Sequence, residues 1–446
     1  MIILFLLTIF VLNTSIIYST PPTLNIITPL KYENYIVSTP EIIISLFDED
    51  GIDFSSLKMS LNYIDITKNC FVTDDKIIYK VYHKLKKGNQ VVKIEVCDLL
   101  GNKVGYEWYF TVGPPTFNHY YGLLNINTYK TSNNFTFDDC YYVAKYNKNL
   151  DFMSISNINT FFDNYFTSTI SNSSDSSNWN ELTSSASKFN NSHEFIGMYG
   201  FKINLSNNIS DLVGHINVFN TKGFIPHNSN TSSLKNFYSY LSSYDANISQ
   251  FNHPNDFYGS FDNFKYTQDG DYAMRLFEVF SGNDVEFNKN IISDKNYQLA
   301  LDKGWHIAPT ASSTDISSEN ELRSVILATN LTHDSLIDAI YKLRVYATCD
   351  KNIKIDFSIN DMPMGSTIKN MTKLNFYISA IDEDYNNKIK KIQVVSKNGT
   401  IIANKDYNSN LAKLEFSIKH KYPTFYYVKV YQDQDKFSIT APIWIE

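Results

Sequence analysis

The sequence lacks the short motifs that mark several large enzyme classes. It contains no Gly-x-Ser-x-Gly elbow, no Walker-type phosphate loop, no dinucleotide-binding glycine fingerprint and no His-Glu-x-x-His pair. Serine, histidine and aspartate are plentiful, but without the elbow no serine is singled out as a nucleophile. These absences argue against α/β-hydrolases, P-loop nucleotide hydrolases, dinucleotide-dependent oxidoreductases and zincin proteases.

Charged residues are also scarce. Only 19% of the 446 residues are charged, and the formal net charge is -7. No basic stripe is present that would neutralise a phosphate backbone, so the composition argues against a nucleic-acid partner. Beyond the N-terminus, no apolar run is long enough to span a bilayer.

The N-terminus is the one strongly apolar segment. An apolar run over residues 1–18 is followed by the small, turn-forming residues Ser19-Thr20-Pro21-Pro22. This pattern predicts a secretory signal peptide over residues 1–20, and hence a secreted or cell-surface protein. Because Lys and Arg are missing before the apolar run, a retained N-terminal anchor remains the alternative.

Export would make the few cysteines candidates for disulfides. Cys70 with Cys97 would close a bridge inside the first domain, and Cys140 with Cys349 would tie the start of the second domain to its end. Four cysteines allow three pairings, and buried free thiols are the alternative. Asn-x-Ser/Thr sequons, such as the one at Asn330, would make an exported chain a glycoprotein.

Local patterns divide the rest of the chain into three predicted domains. Short strands separated by turn residues predict an immunoglobulin-like (Ig-like) β-sandwich over residues 21–113. Residues 115–350 alternate strands with amphipathic helices, which is typical of an α/β domain. Residues 351–446 return to strands, with a hairpin signal at Asn398-Gly399, and predict a second β-sandwich. The predicted fold class is therefore multidomain, α/β plus all-β, with a linker at Gly113-Pro114-Pro115.

Two acidic segments fall between strands of the first domain. They are Asp48-Glu49-Asp50-Gly51 and Asp98-Leu99-Leu100-Gly101-Asn102. Asp, Asn and Gly are ordinary turn residues, and the ligand spacing of a dedicated calcium loop is absent. Solvated turns are therefore favoured over a calcium site.

Residues 115–446 carry a series of motifs in a characteristic order. They are Tyr121-Gly122-Leu123-Leu124, Leu150-Asp151-Phe152-Met153-Ser154-Ile155-Ser156, Gly200-Phe201, Gly214-His215-Ile216-Asn217, Asn252-His253-Pro254, Glu278-Val279-Phe280-Ser281-Gly282, Ala300-Leu301-Asp302-Lys303-Gly304-Trp305-His306, Arg344-Val345-Tyr346-Ala347-Thr348 and Pro442-Ile443-Trp444. In this order they resemble the CehA/McbA-type branch of the polymerase-and-histidinol-phosphatase (PHP) superfamily. The resemblance implies a distorted (β/α)7 barrel over residues 115–350 that binds two or three divalent metals at its C-terminal strand ends. It also implies hydrolysis of phosphate, amide or ester bonds by a metal-held water.

The chain departs from that family at most of the metal-ligand positions. The first strand has Asn125 and Asn127 in place of His-x-His, and the family's Thr-Asp-His falls on Ser156-Asn157-Ile158. The bridging glutamate falls on Lys202, and the late Asp-x-His falls at Thr314 or one residue later. A cluster of divalent metals needs imidazoles and carboxylates, which these positions do not supply. The ammonium of Lys202 is a candidate to fill the space of a missing cation.

A few potential ligands remain. His253 matches the Asn-His-Pro ligand of the family, and Glu278 and Asp315 are residual carboxylate candidates, with His215 near the same mouth. One imidazole and one or two acids rarely hold a catalytic metal, so His253 and Glu278 are more readily interpreted as hydrogen-bonding residues. No cofactor is therefore expected, the alternative being one divalent metal (Zn, Mn or Fe).

Three functions are consistent with these features of the sequence. The first is a PHP-like pseudoenzyme that has lost most metal ligands and acts as a binding or structural module. The second is a weak or single-metal-dependent hydrolase of phosphoesterase or esterase type. The third is an adhesin-like surface protein whose partner is an extracellular protein or glycan.

Overall fold

The computed structural model describes residues 20–31, 33, 36–113, 116–128, 135–162, 176–208, 211–225, 233–243, 248–255, 259–284 and 289–446. The chain forms two compact units, Met1–Thr116 and Phe117–Glu446. The described part of the chain is mostly β, with 49% of its residues in strands and 20% in helices. The predicted signal peptide, apart from Thr20, and the two linker prolines lie outside the described residues. Across the described part of the chain, no helix has the length and apolar character needed to cross a membrane.

The first unit contains eight described strands. They are β1 (Thr23–Thr28), β2 (Glu41–Phe47), β3 (Ile52–Leu61), β4 (Ile64–Asp65), β5 (Phe71–Val72), β6 (Lys76–Lys80), β7 (Gly88–Asp98) and β8 (Lys103–Val112). They form two antiparallel sheets, ordered β1-β2-β6-β5 and β4-β3-β7-β8. Ile44 and Ile77 from one sheet join Ile94 and Trp108 from the other in a single apolar core. The sandwich-like packing that the alternating pattern predicts is therefore present, because one face of each sheet is buried.

The acidic turns of this unit come together. Asp48, Asp50 and Asp98 place one carboxylate oxygen each within 4.8 Å of one another. Asp98 is 1% exposed, and its oxygens accept hydrogen bonds from Leu100 N–H (2.9 Å), Asn102 N–H (2.7 Å) and the Asn102 side-chain amide (2.6 Å). The turn between β7 and β8 is thus closed by its own aspartate.

The structure does not contain the disulfides that the sequence predicts. Cys70, Cys97, Cys140 and Cys349 are all free thiols, so neither predicted bridge is formed. Cys70 lies instead against the sulfur of Met59 at 3.6 Å. Burial raises the pKa of Cys70 to about 11 and the pKa values of Cys140 and Cys349 to about 12. These three thiols are therefore protonated at neutral pH and unreactive.

The second unit begins with a region that alternates strands and helices. Its strands are β9 (Asn118–Ile126), β10 (Phe152–Ile158), β11 (Ile196–Asn208), β12 (Asp211–Phe219), β13 (Ile248–Asn252), β14 (Met274–Asp284), β15 (Lys289–Ile292), β16 (Ala308–Ser313), β17 (Arg323–Ala328) and β18 (Val345–Thr348). Its helices are α1 (Phe137–Tyr142), which continues as a π-helical segment (Val143–Asn147), α2 (Ser177–Phe189), α3 (Leu234–Ser242), α4 (Phe261–Phe264), α5 (Gln268–Ala273), α6 (Asp294–Asp302) and α7 (His333–Tyr341).

Seven of these strands form a curled sheet in the order β9-β10-β11-β12-β13-β14-β16. All of them run in one direction except β12, which is antiparallel to both of its neighbours. The two ends of the sheet approach each other, since Asn127 N–H donates to the carbonyl of Thr314 at 3.0 Å. The carboxyl ends of the six co-directional strands therefore face one mouth, where α/β folds place their sites.

The remaining strands extend the same unit. They are β19 (Lys354–Ile359), β20 (Met362–Pro363), β21 (Thr367–Ile368), β22 (Lys373–Ile381), β23 (Ile389–Ser396), β24 (Ile401–Ser409), β25 (Leu411–Lys419), β26 (Thr424–Gln432), β27 (Phe437–Thr440) and β28 (Ile443–Ile445). The sheet continues from β9 through β17, β18, β27, β26 and β23 to β24, and β20-β19-β22-β25 form a separate sheet. The sequence predicts a boundary between residues 350 and 351, whereas the structure carries one sheet and one apolar core across it.

Two local predictions can be checked directly. Asn398 and Gly399 join the antiparallel strands β23 and β24 with φ values of 57° and 70°, so the predicted hairpin turn is confirmed. At the Asn330 sequon, the side-chain nitrogen that would carry a glycan is buried. The folded chain therefore does not expose this nitrogen to solvent.

Candidate functional site

Buried polar side chains line the mouth of the curled sheet. Six of them are 0% exposed, namely Asn125, Asn217, Gln250, Asn252, Glu278 and Thr310. They come from β9, β12, β13, β14 and β16, so distant parts of the sequence meet here. Buried polar groups need hydrogen-bond partners, because burial without them costs free energy.

The first half of this set forms a run of donors and acceptors. The Thr310 hydroxyl donates to Gln250 Oε1 at 2.9 Å. Gln250 Nε2 donates to Asn252 Oδ1 at 2.9 Å, and Asn252 Nδ2 donates to Asn217 Oδ1 at 2.7 Å. Each amide uses its oxygen on one neighbour and its nitrogen on the next.

The run continues to a carboxylate. Asn217 Nδ2 donates to Asn125 Oδ1 at 3.0 Å, and Asn125 Nδ2 donates to Glu278 Oε1 at 3.2 Å. We call the six residues from Thr310 to Glu278 the amide chain. Glu278 Oε1 accepts from Asn125 and so fixes the orientation of the Asn125 amide, and every later amide follows in turn.

Strand register explains why these side chains meet. Side chains two residues apart on a strand share a face, which places His215 with Asn217 and Gln250 with Asn252. In the antiparallel pairing of β12 with β13, His215 lies opposite Asn252 and Asn217 lies opposite Gln250. The polar residues of the two strands therefore form one lateral cluster.

The other oxygen of Glu278 is hydrogen-bonded to His253. Glu278 Oε2 accepts from the His253 backbone N–H at 2.7 Å and pairs with His253 Nδ1 at 2.9 Å. His253 is 6% exposed and has a φ of +31°, an uncommon value for a residue other than glycine. Such strained backbone is concentrated at functional sites, and here it aims one imidazole at a buried carboxylate.

A second imidazole extends this pair. His215 Nδ1 lies 2.8 Å from His253 Nε2, and the two rings meet edge to face. Because Glu278 accepts at Nδ1 of His253, that nitrogen carries a proton. The contact between the two rings must then be made by one shared proton. His215 is half-buried, and together with the buried His253 and Glu278 it forms a continuous hydrogen-bonded path for a proton.

Lys202 lies beside the amide chain. It is 6% exposed and stands directly opposite Asn217 in the antiparallel pairing of β11 with β12. Directly opposed residues have Cβ atoms about 5 Å apart. A positive charge is therefore buried at the position where the family resemblance expects a bridging glutamate.

Several predicted site residues form local contacts instead. Asn157 bonds to Thr128 through both ends of its amide, at 2.9 and 2.7 Å. Asp315 Oδ1 accepts from the N–H and the hydroxyl of Ser317 at 2.8 and 2.7 Å. Ile158 is half-buried at the end of β10, in register with Lys202.

The structure thus brings together only part of the predicted ligand set. His253 and Glu278 are in contact, whereas Asp315 is held within its own turn. Within the described ranges, the only group of three or more imidazole, thiol or carboxylate ligands close enough for a metal is the aspartate cluster of the first unit. His306 Nδ1 lies 2.9 Å from a carboxylate oxygen of Asp271.

Sequence reasoning missed most of the amide chain. Gln250 and Thr310 were not among the candidates, and Asn252 entered only as part of the Asn-His-Pro motif, although all three lie in fully buried strands. Their signal is amide and hydroxyl residues at alternating positions within segments such as Ile248–Asn252, whose five residues are all buried. Polar alternation in a fully buried strand indicates an internal hydrogen-bond network rather than a solvent face.

Comparison with known proteins leaves the family open. No family model matches the chain. Uncharacterized proteins of Chlamydia trachomatis and Chlamydia pneumoniae are 26% identical over 139 and 140 residues. Each match covers 28% of this chain and only 22% of the chlamydial protein.

Solved structures give only distant likenesses. One is a two-domain protein from Bacteroides vulgatus containing a predicted PHP-like metal-dependent phosphoesterase, with 12% identity, 74% of this chain and 95% of that chain covered, and a TM-score of 0.38. Another is CopC from Methylosinus trichosporium OB3b, with 17% identity, 23% of this chain and 98% of that chain covered, and a TM-score of 0.17. Neither likeness carries a function to this chain.

Proposed function

We propose that the chain is a degenerate relative of the CehA/McbA-type PHP proteins, secreted or displayed at the cell surface. In this proposal the curled sheet is a distorted (β/α)7 barrel that has given up metal-dependent hydrolysis and acts as a binding or structural module. The observation that carries it is the amide chain, because Asn125, which stands where the family has a histidine ligand, and Glu278, a residual ligand candidate, are committed to hydrogen bonds within it.

The described residues do not fit the metal centre of that family. Two divalent cations require several anionic or imidazole ligands, and neutral amides are poor replacements. Both oxygens of Glu278 already accept hydrogen bonds, one from Asn125 and two from His253. A metal bound to Glu278 would compete with those donors, and Lys202 adds a buried positive charge opposite Asn217, which bonds to Asn125.

Metal content tests the proposal. The full chain, purified without chelator and then loaded with zinc, manganese or iron, is expected to contain no stoichiometric metal at this mouth by elemental mass spectrometry. Stoichiometric metal that disappears in His253→Ala would overturn it. As a gain-of-function arm, Lys202→Glu is expected to increase metal uptake if the ammonium fills a former cation space.

A second candidate function is hydrolysis. It is favoured by one observation, the path from Glu278 through His253 to His215, because a carboxylate that orients an imidazole is a common device in general acid–base catalysis. The test is turnover of phosphodiesters and esters by the full chain, with His253→Ala and chelation as separate arms. Turnover lost in both arms would support a single-metal hydrolase, and turnover lost only in His253→Ala would support metal-free acid–base chemistry.

A further inference from the structure

A second buried polar cluster lies far from the mouth in sequence. It joins the segment after β18, the loop between β22 and β23, and the end of β26. Asp350 is 0% exposed and Asp382 is 2% exposed. Both carboxylates accept from one amide, since Asn387 Nδ2 lies 2.5 Å from Asp350 Oδ2 and 2.9 Å from Asp382 Oδ2. Gln432 Nε2 lies 2.5 Å from the same oxygen of Asp382. We call these four residues the acidic cluster.

The amide oxygens of this cluster have no donors. Asn387 Oδ1 and Gln432 Oε1 are buried without a hydrogen-bond partner, and both residues are 4% exposed. Asn352 Oδ1, in the segment after β18, is also buried and unpaired. A buried acceptor without a donor is destabilising, and native proteins contain few of them. Three such oxygens next to two buried carboxylates therefore need an explanation.

The charge of the cluster is only partly balanced. Lys436 Nζ lies 3.3 Å from Asp350 Oδ2, but it lies closer to Glu321, at 2.5 Å. Asp382 accepts from neutral donors, namely the backbone N–H of Asp384 at 2.7 Å and the two amides. Burial, reinforced by the neighbouring Asp350 and Asp384, raises the pKa of Asp382 to about 6. The surroundings thus disfavour the ionised form of Asp382 when no cation is bound.

We propose that the acidic cluster is a calcium site whose ligands are the carboxylates of Asp350 and Asp382 and the amide oxygens of Asn387 and Gln432. Calcium prefers carboxylate and carbonyl oxygens in a flexible arrangement, whereas zinc and iron favour nitrogen or sulfur ligands. The site does not depend on the function proposed for the mouth of the curled sheet.

The amides can change roles by rotation, exchanging their hydrogen bonds to the carboxylates for contacts with the cation. A rotation of about 180° exchanges the oxygen and nitrogen of an amide within nearly the same volume. In Asn387 and Gln432 the oxygen has no donor to lose in that rotation. With calcium bound, the oxygens face the cation and the carboxylates are neutralised. Without calcium, the amide nitrogens face the carboxylates, as in the structure described here.

Calcium would connect segments that are distant in sequence. Asp350 follows the last strand of the α/β region, and Asp382 and Asn387 belong to the β22–β23 loop. A shared cation would cross-link these segments in the folded state only. Binding to the folded state alone raises stability with ligand concentration.

Calorimetric titration of the full, EDTA-treated chain with calcium at pH 7.5 tests this site, together with the midpoint of thermal unfolding. We expect saturable binding of calcium that raises the midpoint, and at least about tenfold weaker binding in Asp382→Asn. Gln432→Met keeps the length of the side chain and removes its oxygen, so it is expected to weaken binding even if Asp382→Asn fails to fold.

The aspartate cluster of the first unit supplies the matched control. Asp48→Asn removes a carboxylate there and is expected to leave calcium binding unchanged. Absence of binding at millimolar calcium would overturn the proposal. Binding that survives in both Asp382→Asn and Gln432→Met, or that is lost in Asp48→Asn, would also overturn it.

The pH dependence gives an independent arm. Protons and calcium compete for Asp382, so binding should strengthen as the pH rises from 5.5 to 7.5. The charged groups that face Asp382 are Asp350, Asp384 and Lys436. Equal affinity at both pH values would remove Asp382 from the site.

Discussion

The amide chain and the acidic cluster handle a buried carboxylate in different ways. Glu278 ends a chain in which each donor finds an acceptor, and it receives two further donors from His253. In the acidic cluster, two carboxylates share the amide nitrogen of Asn387, while the amide oxygens of Asn387 and Gln432 lack donors. A buried charge with enough protein donors needs no cation, whereas one beside unused oxygens is suited to bind one.

The largest expected effect comes from removing the carboxylate at the end of the amide chain. Glu278→Leu leaves Asn125 Nδ2 and two donors of His253 without acceptors. We expect the free energy of unfolding to fall by about 3–5 kcal/mol. Urea unfolding measures it, with the exposed Glu319→Gln as a control expected to change stability by less than about 0.5 kcal/mol. A loss of stability below about 1 kcal/mol would mean that the amide chain does not stabilise the fold.

Breaking the middle of the amide chain should cost less. Asn217→Leu leaves Asn125 Oδ1 and Asn252 Nδ2 unpaired, for an expected loss of about 2–4 kcal/mol. Ser249→Ala on the neighbouring strand β13 is the control, because the Ser249 hydroxyl is buried and already lacks a partner. If Asn217→Leu and Ser249→Ala lose the same stability, the loss reflects disturbed packing rather than broken hydrogen bonds of the amide chain.

The acidic cluster should instead respond to pH. Asp382 has a folded pKa of about 6, above its ordinary value of 3.8, because of burial. For an acid with a raised pKa, the stabilising contribution is present below the unfolded pKa and is lost as the pH rises through about 4 to 6. In EDTA, the unfolding midpoint of Asp382→Asn should therefore rise relative to that of the wild type by about 2–4 °C between pH 4.5 and pH 7.5. A difference that is constant with pH would contradict the raised pKa.

The smallest effect is expected at the far end of the amide chain. Thr310→Val keeps the shape of the side chain but removes one donor, leaving Gln250 Oε1 unpaired, at a cost of about 1 kcal/mol. Ser312→Ala, two residues further along β16, removes a buried hydroxyl that has no partner and should be close to neutral. Equal stability of the two variants would show that the Thr310 bond contributes nothing measurable.

Sequence patterns predicted the local features well. The strands of the first unit, the alternation of strands and helices after Asn118 and the turn at Asn398-Gly399 depend on neighbouring residues, and all are present. The sequence predicts a domain boundary after residue 350, but one sheet crosses it, because β18 before the boundary pairs with β27 after it. Disulfides were suggested by the predicted compartment, but the structure leaves all four cysteines unpaired.

The sequence by itself determined which residue types are scarce and where strands and turns form. Only the tertiary structure decided which polar groups satisfy each other. Asn125 and Glu278 are 153 residues apart and meet at 3.2 Å, and Asp350 and Asn387 are 37 residues apart. Composition cannot distinguish a closed chain of amides from a cluster with unused oxygens. That distinction rests on hydrogen-bond distances and directions, which strand register and loop packing set.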